Sequence, residues 1–217
     1  MAATHGDRKT NHRTRVGRER SARTEAKILA AALGVFAERG PDAPTIDDFV
    51  AAADISRGTF YNYFDSVDAL RAATSAWTTR ELLHAIESAL EGIDGPVLRF
   101  GVGLRLFFAK AQADHVWSMF VARVWKMDGL ELPVRDLEAG FRLGLFRAPS
   151  PDAMRDVLFG AVREALFRIG TGGTPRAYAD DVAALCLQAL GVDARRIAAV
   201  MRHALPVLAR SDVDAAR

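Results

Sequence analysis

Residues 45–64 read TIDDFVAAADISRGTFYNYF, and this stretch decides how the rest of the chain is interpreted. Its first half predicts a short helix. Thr45 stands three residues before Asp48, which is the spacing of a capping box, where two side chains satisfy free backbone groups at a helix start. Apolar residues follow at helical spacing and form one buried face: Ile46, Phe49, Val50 and Ala53.

The second half of the stretch predicts a tight turn and a second short helix. Asp54 lies at the turn, where the backbone often becomes left-handed and Asp is one of the few residues besides glycine that tolerate it. Ser56 is a favourable N-cap for the next helix. Phe60 and Phe64, four residues apart, are expected to pack inward. The remaining large or polar side chains are expected to face outward: Arg57, Thr59, Tyr61 and Asn62.

The outward set has the chemistry needed to contact DNA in the major groove. Arginine can donate two hydrogen bonds to guanine, asparagine can pair with the edge of adenine, and a threonine methyl can meet that of thymine. Tyr61 and Tyr63 offer hydroxyls to phosphate oxygens, and Gly58 suits a close approach of the backbone to a phosphate. The alternative is two ordinary surface helices, but the combination of caps, apolar stripe, turn and exposed polar set disfavours it. We therefore predict a helix-turn-helix.

Residues 24–71 resemble the DNA-binding domain of the TetR family of bacterial transcriptional regulators. The similarity lies in TEAKILAAALGVFAERG (residues 24–40), SRGTFYNYF (56–64) and DSVDAL (65–70). The resemblance implies an all-α fold, with an N-terminal three-helix helix-turn-helix domain and a larger helical domain for ligand binding and dimerisation.

The resemblance also implies which residues contact DNA. Backbone contacts are expected from Thr45, Ser56, Tyr61 and Tyr63, and base-edge contacts from some of Arg57, Thr59 and Asn62. Two positions depart from the family's usual pattern: Asp54 stands where glycine is usual, and Val67 stands where a lysine usually contacts a phosphate. Loss of that charge should reduce the salt dependence of binding by about one unit of slope.

The first 22 residues form a basic arm. Through Arg23 the chain carries seven basic and two acidic side chains, and Val16 is the sole apolar residue between Thr4 and Ser21. Such a segment cannot bury enough apolar surface to fold alone, so we predict a disordered arm with the first helix capped at Thr24. The arm is either a solvated tail or a further contact to DNA phosphates or the minor groove.

The rest of the chain reads as helices separated by glycine, proline and Asp-Gly breaks, with no strand signal. The predicted division is a disordered basic arm at 1–22, a helix-turn-helix DNA-binding domain at 23–66, a helical effector-binding and dimerisation domain at 67–210, and a flexible tail at 211–217.

Composition excludes several other classes of protein. Of the 217 residues 50% are hydrophobic and 26% charged, which is ordinary for a globular protein with a core. There is no apolar run of about 18–20 residues for a membrane span and no secretory signal. The single cysteine, Cys186, fits a reducing cytoplasm, which the resemblance implies is a bacterial one. No metal-ligand spacing, phosphate loop or nucleophile–base pair is apparent, so we expect no metal, no cofactor and no enzymatic activity.

Two helices of the large domain are candidates for a homodimer interface. The segment 151–170 carries two apolar stripes, which indicates burial on both sides, either inside one core or between the core and a partner. The predicted interface residues are Met154, Leu158, Ala161 and Ala165 together with Val182, Leu185, Cys186 and Ala189.

Aromatic residues after position 75 suggest a pocket for an apolar or aromatic small molecule. Trp125 belongs to this aromatic set, and Lys126 is one candidate to orient an anionic group. The competing interpretation is that these side chains fill the core. The predicted pocket residues are Trp77, Arg105, Phe108, Trp117, Phe120, Arg123 and Phe141.

Together these observations predict a homodimeric transcriptional regulator, a repressor of the TetR type released from a palindromic operator by a small molecule. The ligand would shift the helix that starts near Ser66 and change the spacing of the two recognition helices. An alternative is a ligand-independent or activating DNA-binding dimer whose large domain serves only dimerisation or protein partners. An enzyme with an apolar pocket is the second rival.

Overall fold

The computed structural model describes residues 6–124, 134–148 and 150–208. Side chains are described from residue 15 onward within these ranges, except at 134 and 151. The ranges contain ten α-helices and no strand, which confirms the all-α prediction. The helices are α1 (Gly6–Arg39), α2 (Ile46–Ala53), α3 (Arg57–Tyr61), α4 (Val67–Ala89), α5 (Pro96–Ala113), α6 (His115–Val124), α7 (Val134–Arg142), α8 (Pro151–Thr171), α9 (Tyr178–Ala189) and α10 (Ala194–Arg202).

Helix α1 begins earlier than the sequence indicates. Thr24 is not its N-cap: it lies inside the helix, where its hydroxyl donates to the carbonyl of Arg20 at 3.0 Å. Extending a helix that is already packed adds one hydrogen bond per residue without a new nucleation step, which accounts for helix through residues 6–22. Most side chains of residues 15–23 are exposed, as expected for so polar a segment. Disorder of this arm in solution stays a prediction, and the tail at 211–217 lies outside the described residues.

The DNA-binding domain is built on phenylalanines that α1, α2 and α3 contribute to one core. Phe36, Phe49 and Phe60 are each fully buried, and the rings of Phe36 and Phe49 lie 4.9 Å apart between centroids. Gly40 ends α1 in the left-handed region, with φ of 82°, a conformation that costs glycine little. The three helices therefore pack as one unit.

Helix α5 is the centre of the large domain. All residues from 100 to 108 are buried, which covers more than two helical turns and places neighbours on every side of the helix. Those neighbours include α4, α6, α7, α8, α9 and α10. Gly101 permits the close approach of α10, because a Cβ there would lie 2.5 Å from a methyl carbon of Val200.

Helix α6 joins the two domains. On one side it packs against α8, and on the other against α1. Phe120 of α6 faces Phe36 of α1 with ring centroids 6.3 Å apart, and Arg123 of α6 donates to the carbonyl of Glu38 in the last turn of α1. A basic side chain at this position also complements the negative end of the α1 dipole. None of the described helices is both long and apolar enough to cross a bilayer.

Candidate DNA-binding surface and effector cavity

Local hydrogen bonds hold α2 and the turn that follows it in the predicted geometry. The backbone N–H of Thr45 donates to Asp48 Oδ2 at 2.8 Å, and the Thr45 hydroxyl donates to the same oxygen at 2.9 Å. These bonds, the backbone one foremost, lower the pKa of Asp48. Asp54 adopts φ 48° and ψ 60°, the left-handed conformation that the sequence predicts. Its N–H bonds the carbonyl of Ala51, so it caps α2 and turns the chain.

The start of α3 is also capped as the sequence predicts. The N–H of Thr59 donates to Ser56 Oγ at 3.0 Å, and the two hydroxyls of these residues are 2.9 Å apart. Thr59 is half-buried, so its hydroxyl serves the cap while its side chain offers limited surface to solvent. Ser56 itself is exposed.

The inward and outward faces of α3 divide as expected. Phe60 is fully buried and Phe64 is buried, whereas Tyr61 is 51% exposed and Asn62 is exposed at the C-cap. Gly58 is exposed too, and a Cβ added there would meet only Ser56 Oγ, at 3.7 Å. Packing within the chain therefore does not require glycine at position 58, and open space lies outside it.

Tyr63 and Val67 contribute to the edge of this surface. The hydroxyl of Tyr63 lies 3.2 Å from Ser21 Oγ, a hydrogen bond that ties the end of the helix-turn-helix to α1. Val67, at the first position of α4, is half-buried and packs against the core. An apolar side chain at this position thus adds to the packing, where a lysine would project a charge.

Arg57 has a partner that the sequence did not indicate. Its Nε donates to Asp47 Oδ1 at 2.7 Å and its Nη2 donates to Asp47 Oδ2 at 2.5 Å. This bidentate pair lowers the pKa of the Asp47 carboxyl, chiefly through the hydrogen bond from Arg57, and raises that of the guanidinium. Both side chains are nearly two-thirds exposed. Charge attraction alone stabilises such an exposed pair little, so its importance lies in where it holds Arg57.

A cavity lies in the large domain between α4, α5, α6, α8 and α9. The empty space, including the opening to solvent, is about 890 Å³. Its walls are mostly apolar. The lining residues are Ser75, Thr78, Thr79, Leu82, Leu83, Ile86 and Glu87 of α4, Phe100, Gly103, Leu104 and Phe107 of α5, Trp117, Phe120 and Val121 of α6, Leu158 and Val162 of α8, and Cys186 of α9.

The structure brings two of the predicted pocket residues to this cavity, Trp117 and Phe120. Trp77 and Phe108 are buried elsewhere in the core, and Phe141 packs on Phe146 with ring centroids 5.9 Å apart. Trp125 and Lys126 lie outside the described residues. Of the predicted pocket residues, those that line this cavity thus lie on α6, and the other described aromatic ones fill the core; ligand binding by any of them stays a prediction.

The two predicted cationic pocket residues have other partners. Arg105 is buried and forms a salt bridge with Asp180, with 2.8 Å between its Nε and Oδ1. Its Nη1 donates to the carbonyls of Val200 and His203, each at 2.8 Å, so it ties α5 to α9 and α10. Arg123 donates to Glu38. Neither side chain lines this cavity, because each satisfies backbone carbonyls at a helix junction.

The sequence analysis missed the contribution of α4, which forms one whole wall. The lining positions 75, 78, 79, 82, 83 and 86 recur at helical spacing and could have been recognised as one face. Their mixture of hydroxyl-bearing and aliphatic residues hid the stripe. Cys186 was predicted at a dimer interface, but it is buried at the cavity, and burial raises the pKa of its thiol to about 11.

Helices α8 and α9 leave an apolar surface exposed, although not on the predicted stripe of α8. Leu158 and Ala165 are buried in the core, which corrects their assignment to an interface. Met154 and Val182 are half-buried, while Ala161 and Ala189 are exposed, and a place for these four at a dimer interface stays a prediction. The large exposed residues are Val157 at 56%, Phe167 at 40% and Leu185 at 62%. Because α8 carries two apolar stripes, the sequence did not show which one faces the core and which one stays exposed.

Comparison with known proteins agrees with this geometry. Residues 28–74 match the model of the bacterial regulatory proteins of the tetR family. The chain is 41% identical over 66 residues to the uncharacterized HTH-type transcriptional regulator YvdT of Bacillus subtilis (strain 168), and 35% identical over 65 residues to the HTH-type transcriptional repressor DhaR of Mycobacterium sp. (strain GP1). Each match covers 30% of this chain and about a third of the relative, 34% and 33% respectively.

The fold as a whole is similar to that of a solved protein, RolR. The crystal structure of RolR in complex with the ligand resorcinol superposes with a TM-score of 0.64 at 25% sequence identity, covering 88% of this chain and 99% of RolR. The structure of RolR without ligand gives a TM-score of 0.61 at 26% identity.

The fold and the α2–α3 surface define a helix-turn-helix DNA-binding protein. Residues 28–74 carry the DNA-binding domain of the tetR family of bacterial regulatory proteins, in a chain whose whole fold is similar to that of RolR. The relatives that match this domain are HTH-type transcriptional regulators, in agreement with the predicted class of protein. No group of three or more metal-ligating side chains occurs among the described residues.

Proposed function

We propose that the protein is a homodimeric repressor that binds an operator with dyad symmetry and leaves it when a small, uncharged, largely apolar molecule enters the cavity. The observation that carries the proposal is the position of α6. This helix lines the cavity through Trp117, Phe120 and Val121 and also packs on α1 of the DNA-binding domain. A ligand that contacts α6 can therefore act on the DNA-binding domain through the contact between α6 and α1.

The DNA-binding surface is formed by α3 and its flanks. Arg57, Tyr61 and Asn62 are exposed on it, and Gly58 leaves room for a phosphate. We assign base contacts to Arg57 and Asn62, with a smaller part for the half-buried Thr59. Backbone contacts are assigned to Thr45, Ser56, Tyr61 and Tyr63, of which Tyr63 shares its hydroxyl with Ser21.

Dimerisation through α8 and α9 follows from the apolar side chains that this face exposes. Val157, Ala161 and Phe167 are exposed on α8 and Leu185 and Ala189 are exposed on α9, and the two helices pack against each other. Two copies meeting here would form a four-helix interface. One recognition helix contacts too few base pairs to select a site, whereas a dimer reads two half-sites about 34 Å apart or a multiple of that distance.

The lining of the cavity indicates a neutral ligand. Glu87 is the charged residue among the lining side chains of the described chain, and it is paired with Arg99 at 2.9 Å and Arg135 at 3.1 Å. An anion would thus meet a carboxylate and no lining cation among the described residues, which disfavours it. Ser75 and Thr79 offer hydroxyls for hydrogen bonds. The ligand of the neighbour RolR, resorcinol, supports an aromatic alcohol.

Aromatic contacts link the cavity to the DNA-binding unit. Phe120 lines the cavity and faces Phe36 of α1, which packs in turn on Phe49 of α2. A ligand lowers DNA affinity only if it binds the non-DNA conformation more tightly, and typical coupling energies are about 1–3 kcal/mol. We propose that α6 and α1 carry this coupling, in addition to the shift of α4 that the sequence suggested.

The first test uses the full-length protein to select DNA sites from a random pool. Enriched sites with two inverted half-sites are expected, and unrelated single sites would contradict the dimeric mode. The variant Leu185→Glu places a charge on the apolar face and should give a monomer in analytical ultracentrifugation with loss of affinity for the two-half-site DNA. The control Ala194→Glu adds the same charge at an exposed position of α10 and should stay dimeric.

The second test measures DNA affinity by fluorescence anisotropy with resorcinol as the neutral probe and 3-hydroxybenzoate as the matched anion. We expect resorcinol to weaken DNA binding and the anion to have no effect. Val162→Phe should fill the cavity and abolish the response, whereas Val116→Phe, on the exposed side of α6, should retain it. A neutral probe that binds the protein without changing DNA affinity would refute the coupling.

A further inference from the structure

The contact between Asp47 of α2 and Arg57 of α3 bears on how the protein distinguishes DNA sequences. The carboxylate accepts two hydrogen bonds from one edge of the guanidinium, at 2.7 Å from Nε and 2.5 Å from Nη2. Two bonds between planar groups fix orientation as well as distance. Arg57 is therefore held in one direction before any DNA is bound.

Asp47 bonds only one edge of the Arg57 guanidinium, so the other edge can still donate hydrogen bonds. A guanidinium has five N–H donors in a rigid planar fork. Asp47 takes the edge formed by Nε and Nη2, so the two parallel donors formed by Nη1 and the outer N–H of Nη2 remain. That pair of donors matches the O6 and N7 acceptors of guanine in the major groove.

The place of Arg57 in the fold suits base reading. It is the first residue of α3, and the N-terminal residues of a recognition helix are the ones that contact base edges. Its side chain is 62% exposed despite the pair with Asp47, so the free edge can be reached from outside.

The charge of the pair argues against a phosphate contact. Contacts to phosphates gain most of their free energy from a cation that releases counterions. Arg57 and Asp47 together carry no net charge at neutral pH, because hydrogen bonding from Arg57 lowers the pKa of the carboxyl further. Hydrogen bonds to a guanine edge, which is polar but uncharged, do not depend on a net positive charge of the pair.

We propose that Asp47 is a specificity-determining positioning residue, which orients Arg57 so that its free edge recognises a guanine in each half-site. The proposal rests on the proposed function, in which α3 enters the major groove. The rival interpretation is that Asp47 competes with DNA for Arg57 and weakens binding to all sequences.

The test compares the full-length protein with Asp47→Ala, Asp47→Asn and Arg57→Ala on the selected site and on the three base substitutions at each guanine of a half-site. Asp68→Asn is the matched control, since Asp68 is exposed and pairs with Arg71 at 2.5 Å in the first turns of α4, the helix that follows α3. Thermal unfolding should be nearly unchanged in all four variants, because the altered side chains lie on the surface.

We expect Arg57→Ala to remove a preference for one guanine of about 10-fold or more. Asp47→Ala should remove most of the same preference, and Asp47→Asn, which keeps one acceptor, a smaller part of it. In the Arg57→Ala background, Asp47→Ala should cause no further loss of preference. Asp68→Asn should change affinity for all sequences alike, as removal of a negative charge near DNA does.

Two results would overturn the proposal: an undiminished guanine preference in Asp47→Ala, or tighter binding to all sequences with the preference intact, which is the behaviour of a competitor. Failure of the proposed function looks different, because the unaltered protein would then select no DNA site at all.

Discussion

The α2–α3 unit presents polar side chains to solvent, whereas the cavity in the large domain presents almost only apolar ones. At α3 the side chains are held by short hydrogen bonds to neighbours in sequence, as between Ser56 and Thr59. At the cavity they are held by packing, and residues as distant as Ser75 and Cys186 face the same space. The first surface is suited to recognise hydrogen-bond patterns, and the second to recognise shape and exclude charge.

The strongest test of this contrast is Phe36→Ala, because Phe36 contacts both regions. It is fully buried between Phe49 and Phe120, so its truncation should lower the free energy of unfolding by about 3–5 kcal/mol. Chemical denaturation measures this change. Val207→Ala, at a position 93% exposed, serves as the control and should change it by less than about 0.5 kcal/mol. If both variants lowered the free energy of unfolding by the same amount, Phe36 would not join the two domains.

The chemistry of Cys186 tests the interior character of the cavity. Burial raises the pKa of this thiol to about 11, so at pH 8 its thiolate fraction should be roughly 100-fold below that of an unfolded chain. Alkylation by iodoacetamide in native buffer and in urea measures the difference on the sole cysteine of the chain. A native rate close to the unfolded rate would place Cys186 at an open surface.

The same raised pKa predicts how stability changes in alkali. The folded state keeps the proton of Cys186 above the pH at which the unfolded chain loses it, so the unfolded state binds fewer protons. The contribution of Cys186 to stability should therefore be complete below about pH 9, near the ordinary pKa of a free thiol. It should be lost as pH rises toward about 11. Comparison of unfolding curves with those of Cys186→Ala, which lacks the titration, isolates the contribution.

Helix caps allow a matched comparison of the two regions. Ser56 accepts from Thr59 at the start of α3, and Ser150 accepts from Ala153 at the start of α8. Replacing either serine by alanine should cost about 1 kcal/mol of stability. Only Ser56→Ala should also weaken DNA binding measured below the unfolding transition. An equal loss of DNA affinity in Ser150→Ala would argue against a separate role for the α3 cap.

The smallest expected effect concerns the turn at Asp54. With φ of 48° this residue occupies a conformation that glycine adopts without strain, so Asp54→Gly should change stability by under about 1 kcal/mol. Asp54→Ala should be less stable than Asp54→Gly, because alanine lacks the tolerance of Asp for this conformation. Thermal unfolding of the pair measures the order, and the reverse order would show that the Asp54 side chain matters more than its backbone.

The accuracy of sequence reasoning differs between the two regions for a physical reason. The caps at Thr45 and Ser56, the left-handed Asp54 and the buried Phe60 depend on residues within a few positions, so local patterns reveal them. The pair between Asp47 and Arg57 escaped notice although only ten positions separate them, because it depends on the angle at which α2 crosses α3.

The cavity depended on contacts that sequence cannot reveal. Periodicity shows that a helix has an apolar face, but not which element covers it. Arg105 and Phe108 lie on α5 but not on the face of that helix that lines the cavity, which carries Phe100, Leu104 and Phe107. The buried Leu158 and the exposed Val157 are adjacent in α8, and only the packing of α8 on α6 and α9 distinguishes core from surface.

The sequence by itself determined the all-α fold, the helix-turn-helix and its outward side chains, because helix periodicity, capping and turn chemistry act over short distances. The tertiary structure decided that α6 joins the two domains, that the cavity is apolar and lacks a lining cation among the described residues, and that Asp47 orients Arg57. Each of these depends on how helices far apart in the chain cross and pack, which no local pattern contains.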